Sequence, residues 1–220
     1  MLRVIGGLGV LLVALMVPIV LLAGAMGMMA TSSNSGSTSP YIEQLVALGY
    51  DNGRLPREAL TVVSSRSNGY ECQVASVGSA DRAWMALVAT AELDGVDIEG
   101  GWCYRTYQSQ VSAWNRRQCY IPGNCDGDPH PPTARPGTSV HGWGLAIDVW
   151  GASDNILGCS APELLWLQIN APRFGWVNPE WARCGHLGSE PWHWEYVGSE
   201  LIAPTGDSRL KPAGRKEETI

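Results

Sequence analysis

Two short stretches carry residue types that suit a catalytic metal site. Ser139-Val140-His141-Gly142-Trp143-Gly144-Leu145-Ala146-Ile147-Asp148 sets a histidine and a carboxylate seven positions apart, with two glycines between them. Glu190-Pro191-Trp192-His193-Trp194-Glu195-Tyr196 adds a second histidine, with a glutamate three residues before it. Two imidazoles and one carboxylate, here His141, His193 and Asp148, can supply the three protein ligands of a catalytic zinc, with a fourth position left for water. Such a site keeps a net positive charge and can lower the pKa of bound water to about 7. Glu190 is placed to take a proton during attack on an amide carbonyl and to pass it to the leaving amine. Arg105 can stabilise the developing oxyanion. Either pair alone is weak, because many strands carry one histidine and one acid. The two pairs together with Arg105, in an exported domain, point to a zinc peptidase working outside a membrane.

The flanking pattern indicates which elements hold these groups. Gly142 and Gly144 predict a turn or bulge after His141. Leu145 to Trp150 then alternates as a strand, with Leu145, Ile147 and Val149 toward the core and Asp148 on the opposite face. His193 and Glu195 share one strand face, and Trp192, Trp194 and Tyr196 the other. Asp81 to Asp94 predicts a helix burying Ala83, Trp84, Leu87, Val88 and Ala91. Val96 to Tyr104 reads as a strand weakened by Gly100-Gly101, and Thr106 to Gln118 as a second helix. Arg105 falls at that strand-to-helix junction, where it can point into a cleft. Ser160-Ala161-Pro162-Glu163 reads as a capping box opening a helix to about Asn170, which buries Leu164, Leu165 and Leu167. Tyr41 to Tyr50 suits a short helix using Ile42, Leu45, Val46 and Leu48, and Phe174 to Val177 a short strand. Cys119 to Pro136 is a Pro/Gly/Asn/Asp-rich loop long enough to wall the site. His130 and His186 lie in loops and are expected to be solvated.

Composition limits the partners. The 220 residues carry a formal net charge of -6, which argues against nucleic acid. Ten tryptophans against one phenylalanine are read first as core and cleft walls, ahead of a sugar-stacking platform. Val4 to Ala30 is an uncharged, mostly apolar run of 27 residues, and about 20 suffice to span a bilayer. Arg3 precedes it and the next Lys or Arg is Arg54, so the remainder is expected outside, either anchored with the N-terminus in the cytoplasm or secreted after cleavage near Ala23-Gly24-Ala25. The expected organisation is a membrane segment at 1–30, a linker at 31–40, a monomeric domain at 41–202 and a disordered tail at 203–220. Six cysteines without a CxxC pair suit disulfides in an exported domain. Of fifteen connectivities, Cys119 with Cys125 is the local choice. Cys72 with Cys103 and Cys159 with Cys184 are its simplest completion.

The ordered motifs carry a resemblance. Ser139-x-His141-x-x-Gly144-x-Ala146-x-Asp148 and Glu190-Pro191-Trp192-His193-x-x-Tyr196 resemble the two signatures of the VanY-type zinc D-alanyl-D-alanine carboxypeptidases. Tyr104-Arg105-Thr106-Tyr107 with Gln110 is similar to that family's upstream arginine motif. The match runs over roughly Ala80 to Val197. It implies an α+β fold, a central antiparallel sheet with packed helices, related to the hedgehog signalling domain. It implies zinc on His141, Asp148 and His193, Glu190 as catalytic base, Arg105 stabilising the transition state, and Ser139 holding substrate. It also implies peptidoglycan stem peptides as substrates, with D,D-carboxypeptidase activity expected. L,D-carboxypeptidase or endopeptidase activity is the alternative within the class, and a non-catalytic wall-binding module the alternative outside it.

Overall fold

The computed structural model describes residues 39–66, 69–125, 133–153, 155–199 and Ala213. The expected membrane segment at 1–30, the linker up to residue 38, His130 and the tail from 203 other than Ala213 lie outside these residues. Among the described residues no helix is long and apolar enough to cross a membrane.

The alternation around Asp148 produces the central strand, β4 (Ala146–Gly151), in a four-stranded antiparallel sheet. β3 (Ile98–Trp102) pairs on one side of it and β6 (His193–Tyr196) on the other; β5 (Trp176–Val177) pairs with β6 at the edge. Side chains alternate across a strand, so Ile147 and Val149 enter the core with Leu145 while Asp148 takes the opposite face. The core face is covered by α2 (Ala80–Leu93), which buries Ala83, Trp84, Leu87 and Ala91. Trp84 meets Trp176 edge to face at 5.5 Å, and Trp176 packs on Tyr196 at 5.3 Å, spacings at which aromatic quadrupoles attract. The buried Tyr196 hydroxyl donates to the Gly78 carbonyl (2.6 Å), so its polar end is satisfied. α1 (Pro40–Ala47) and α4 (Pro162–Asn170) add Leu45, Leu164 and Leu167 to the core.

A second, two-stranded sheet of β1 (Leu60–Ser65) and β2 (Glu71–Ala75) was not expected from the sequence. Cys72 on β2 bonds Cys103 just after β3, so a disulfide ties the two sheets. The Gly100-Gly101 pair follows from this contact. A Cβ at Gly100 would stand 2.4 Å from the Cys72 sulfur, and one at Gly101 1.8 Å from the Trp150 ring. Cys119–Cys125 and Cys159–Cys184 complete the set, and no cysteine is free.

Several local expectations need correction. The last helix has Ala161 as its N-cap, with no side-chain cap. Ser160 stands one residue too early, in a turn closed by the Ala161 N–H on the Gly158 carbonyl and next to the bridged Cys159. Glu163 accepts instead from the Ala152 N–H (3.3 Å), so there is no capping box. Leu165 and Val46 face outward, at 63% and 54% exposure. The strand expected at Phe174 begins only at Trp176, because Phe174 closes a 3-10 turn and Gly175 takes φ +79°.

Candidate active site

The pairing of β4 with β6 sets Asp148 directly opposite His193. Residues in such a pair project side by side from the same face. His141 arrives from the 3-10 turn Val140–Trp143, which Gly144 ends at φ +64°, a left-handed conformation that favours glycine. The turn returns the His141 ring over the strand, and the two imidazole centres lie 5.0 Å apart. His141 Nε2 is 3.3 Å and His193 Nδ1 3.2 Å from the same Asp148 oxygen, Oδ1. Donor atoms of the three buried side chains all lie within 4.8 Å of one another.

The outer ring nitrogens decide what the inner ones offer. His141 Nδ1 lies 2.9 Å from the Cys103 carbonyl, which can only accept, so Nδ1 carries the hydrogen and Nε2 presents a lone pair. His193 Nε2 donates to Glu195 Oε1 (3.0 Å), which turns Nδ1 inward. In the absence of a metal a proton on His193 Nδ1 bridges to Asp148 (3.2 Å); a cation in its place would meet two imidazole lone pairs and a carboxylate oxygen. The electrostatics show how strongly the cluster holds positive charge. Burial pushes the His141 pKa down and keeps it neutral, against the pull of Asp148. Burial also works against charge on His193, but Asp148 and Glu195 hold its pKa up to about 10. Burial opposes ionisation of Asp148, yet the two imidazoles hold its pKa below the usual carboxylate range. A His-Asp-His set with this appetite for positive charge fits Zn²⁺, with each imidazole oriented by an acceptor on its far nitrogen.

The cluster opens into a cleft of about 1010 Å³, and Glu190, Arg105 and Ser139 line it with the three ligand candidates. Glu190 sits in the turn closed by the His193 N–H on the Glu190 carbonyl (2.9 Å). Burial raises its pKa, the direction useful to a base working near neutrality. Arg105 is held twice. Its backbone N–H donates to the His141 carbonyl (3.0 Å), and Nη1 donates to Gln110 Oε1 (3.0 Å). Gln110 in turn donates to the Ala134 carbonyl (2.6 Å), tying Arg105 to the far end of the Cys119 to Pro136 loop. The Ser139 carbonyl accepts from Asn52 Nδ2 (2.8 Å). His186 is exposed and does not line the cleft.

The pattern of residue types missed three contributors. Asn178 donates to the carbonyls of His193 (2.7 Å) and Glu190 (3.3 Å) and so fixes the turn carrying both. Trp181 packs on the His193 ring at 5.1 Å. Trp192, expected on the strand face of Trp194 and Tyr196, also lines the cleft, because β6 begins at His193 and alternation does not extend into the turn before it. The Asn178-Pro179 pair, a turn-initiating dipeptide, is the sequence signal for this turn.

A sheet with a buried His-Asp-His cluster on one face, and a carboxylate and an arginine in the same cleft, defines an α+β domain with a candidate metal site. Residues 77–199 match the VanY family, described as D-alanyl-D-alanine carboxypeptidase, and the chain belongs to that family. A D-alanyl-D-alanine carboxypeptidase of Enterococcus faecalis (strain ATCC 700802 / V583) is 30% identical over 123 residues, 52% of this chain and 45% of that protein. The chain thus spans under half the length of this curated relative. A solved structure of the LdcB LD-carboxypeptidase shares the fold at a TM-score of 0.53 and 21% identity, over 68% of this chain and 72% of that one. VanYB in complex with D-alanine-D-alanine is 26% identical with a TM-score of 0.47, over 63% and 78%.

Proposed function

We propose that the protein is a zinc-dependent peptidase that trims peptidoglycan stem peptides, removing the terminal D-alanine as a D,D-carboxypeptidase. The observation that carries this reading is the convergence of His141, Asp148 and His193 in one cleft with Glu190 and Arg105. Bound Zn²⁺ supplies a Lewis acid that polarises an amide carbonyl and acidifies a water. Glu190 takes the proton of the attacking water and delivers it to the leaving amine. Arg105, fixed by Gln110 and the His141 carbonyl, faces the negative charge that develops on the carbonyl oxygen. Ser139 holds substrate beside the cluster. A wall-binding module has no use for a base or an oxyanion partner, and both are present here.

The three disulfides suit an oxidising compartment. With the charge-free run Val4 to Ala30, they support a domain outside the membrane, held by a single N-terminal helix or released from it.

The test is D-alanine release from a pentapeptide stem, with and without chelator, in the parent and in Glu190→Gln. The parent should release D-alanine only with zinc. Glu190→Gln should keep zinc and lose about 10² to 10⁴ in turnover, the usual worth of general-base catalysis. Release from tetrapeptides or cross-bridges alone would move the scissile bond. No release from any of these with zinc bound would favour the binding module.

A further inference from the structure

The cleft carries more positive charge than the reaction uses. α3 (Tyr107–Arg116) starts just after Arg105 and ends in Arg116, with Arg117 as its C-cap. Arg116 and Arg117 are exposed and line the same cleft as the cluster. Among the described residues neither guanidinium makes a hydrogen bond or an ion pair, though Arg117 lies near enough to Glu190 to pull its pKa down against burial. With zinc bound, the two charges of the ion and the one of Arg105 balance Asp148, Glu190 and Glu195, so Arg116 and Arg117 leave the cleft positive by two. This stands out on a chain whose formal net charge is -6. At about 1010 Å³ the cleft also reaches the upper end of the range that encloses whole drug-sized ligands, far more than a terminal dipeptide fills.

We infer that Arg116 and Arg117 form a subsite for a carboxylate on the substrate peptide, two to four residues before the scissile bond. The inference rests on the peptidase reading above and names the substrate feature that reading leaves open. The helix sets the register. Its 10 residues separate Arg105 from the Arg116-Arg117 pair by about 15 Å along the axis. An extended peptide advances about 3.4 Å per residue, and two long side chains reaching inward shorten the gap. The carboxylate therefore belongs to an upstream residue and is separate from the terminal carboxylate of the peptide. The competing explanation is structural, since cations at a helix C-terminus favour its dipole. That role would alter stability and leave substrate preference alone.

The probes are two synthetic pentapeptides ending in D-Ala-D-Ala. One has γ-linked D-glutamate, with its free α-carboxylate, as the second residue; the other has D-isoglutamine there. Binding is measured by calorimetry on zinc-loaded Glu190→Gln, and D-alanine release on the parent. The expected result is tighter binding of the carboxylate peptide by roughly tenfold, the order expected for a hydrogen bond to a charged group. That ratio should shrink as salt is raised and collapse toward one when Arg116→Gln and Arg117→Gln are added. A ratio near one without those changes, or a ratio that survives them, while the parent still releases D-alanine from both peptides, overturns the subsite and leaves the peptidase reading intact. If the zinc-loaded parent releases D-alanine from neither and neither binds, the peptidase reading fails and the subsite falls with it.

Discussion

The two imidazoles of the cluster are held by opposite kinds of partner. His193 lies in a strand and is oriented by a carboxylate two residues further on, Glu195, with Trp181 against its ring. His141 lies in a 3-10 turn and is oriented by the backbone carbonyl of Cys103, 38 residues away. Cys103 is in turn bridged to Cys72 on the other sheet, and its N–H is held by the Tyr70 hydroxyl (3.0 Å). One arm is made by local sequence and the other by the assembled fold. The comparison teaches that a candidate metal ligand is legible in its own motif, while the group that aims it is legible only where, like Glu195, it lies in the same strand.

Removing either proposed ligand should give the largest effect. His141→Ala and His193→Ala each take away one of three donors, so zinc should fall from near-stoichiometric to background by metal analysis, with activity gone. Full zinc retention in either variant would strike that histidine from the ligand set and dissolve the comparison.

The next test separates the arms. Cys72→Ala with Cys103→Ala leaves the Cys103 carbonyl in the chain but frees the segment that aims it. Loss of an oriented partner typically costs a site about 10- to 100-fold in metal affinity, and chelator competition should show a loss in that range. Stability should drop as well, by roughly 3 to 4 kcal/mol for a loop of this length. Cys119→Ala with Cys125→Ala is the control, because that bridge spans only 6 positions and touches no ligand. If both double variants hold zinc equally well, the carbonyl keeps its place without the bridge.

The same division explains what was legible beforehand. Strand alternation gave β4 and β6, because one face of each is buried and a shift of one residue would invert every side chain. The helical stripe of α2 was legible for the same reason. The types and spacing of His141, Asp148, Glu190 and His193 singled out the residues that the fold gathers, since the chemistry needs those types. The β1–β2 sheet was not legible from alternation, because β1 is only half-buried; its strands are close in sequence, and Asn68-Gly69 between them is the turn signal that marks the pair. Asn52, Asn178 and Trp181 were not legible either. Each acts on a backbone carbonyl or a ring face brought to it by folding, and nothing in the type of a lone Asn or Trp announces that. The failed capping box is a matter of one residue: Pro162 takes the first helical position, where its missing N–H costs nothing, and that leaves Ala161 as the N-cap.

The smallest expected effect concerns Glu195, and it decides what the His193 arm contributes. The Glu195 carboxylate can act by direction, accepting the Nε2 hydrogen so that Nδ1 faces inward, or by charge, making the imidazole a stronger donor. Glu195→Gln keeps an oxygen that can accept and removes only the charge. Glu195→Ala removes both. If direction dominates, Glu195→Gln should lose zinc affinity by no more than about tenfold, the low end for such partners, and Glu195→Ala by more. Equal losses would assign the effect to charge. Glu195→Ala with zinc affinity untouched would mean that Trp181 and the Asn178 turn hold the ring unaided. A further outcome bears on the chemistry itself. Glu195 lines the same cleft as Glu190, so a Glu195→Gln protein that keeps zinc but loses turnover by 10² or more, while Glu190→Gln does not, would make Glu195 the base. The 3.0 Å contact to His193 argues against that, because a carboxylate already accepting a ligand's hydrogen is poorly placed to take another from water.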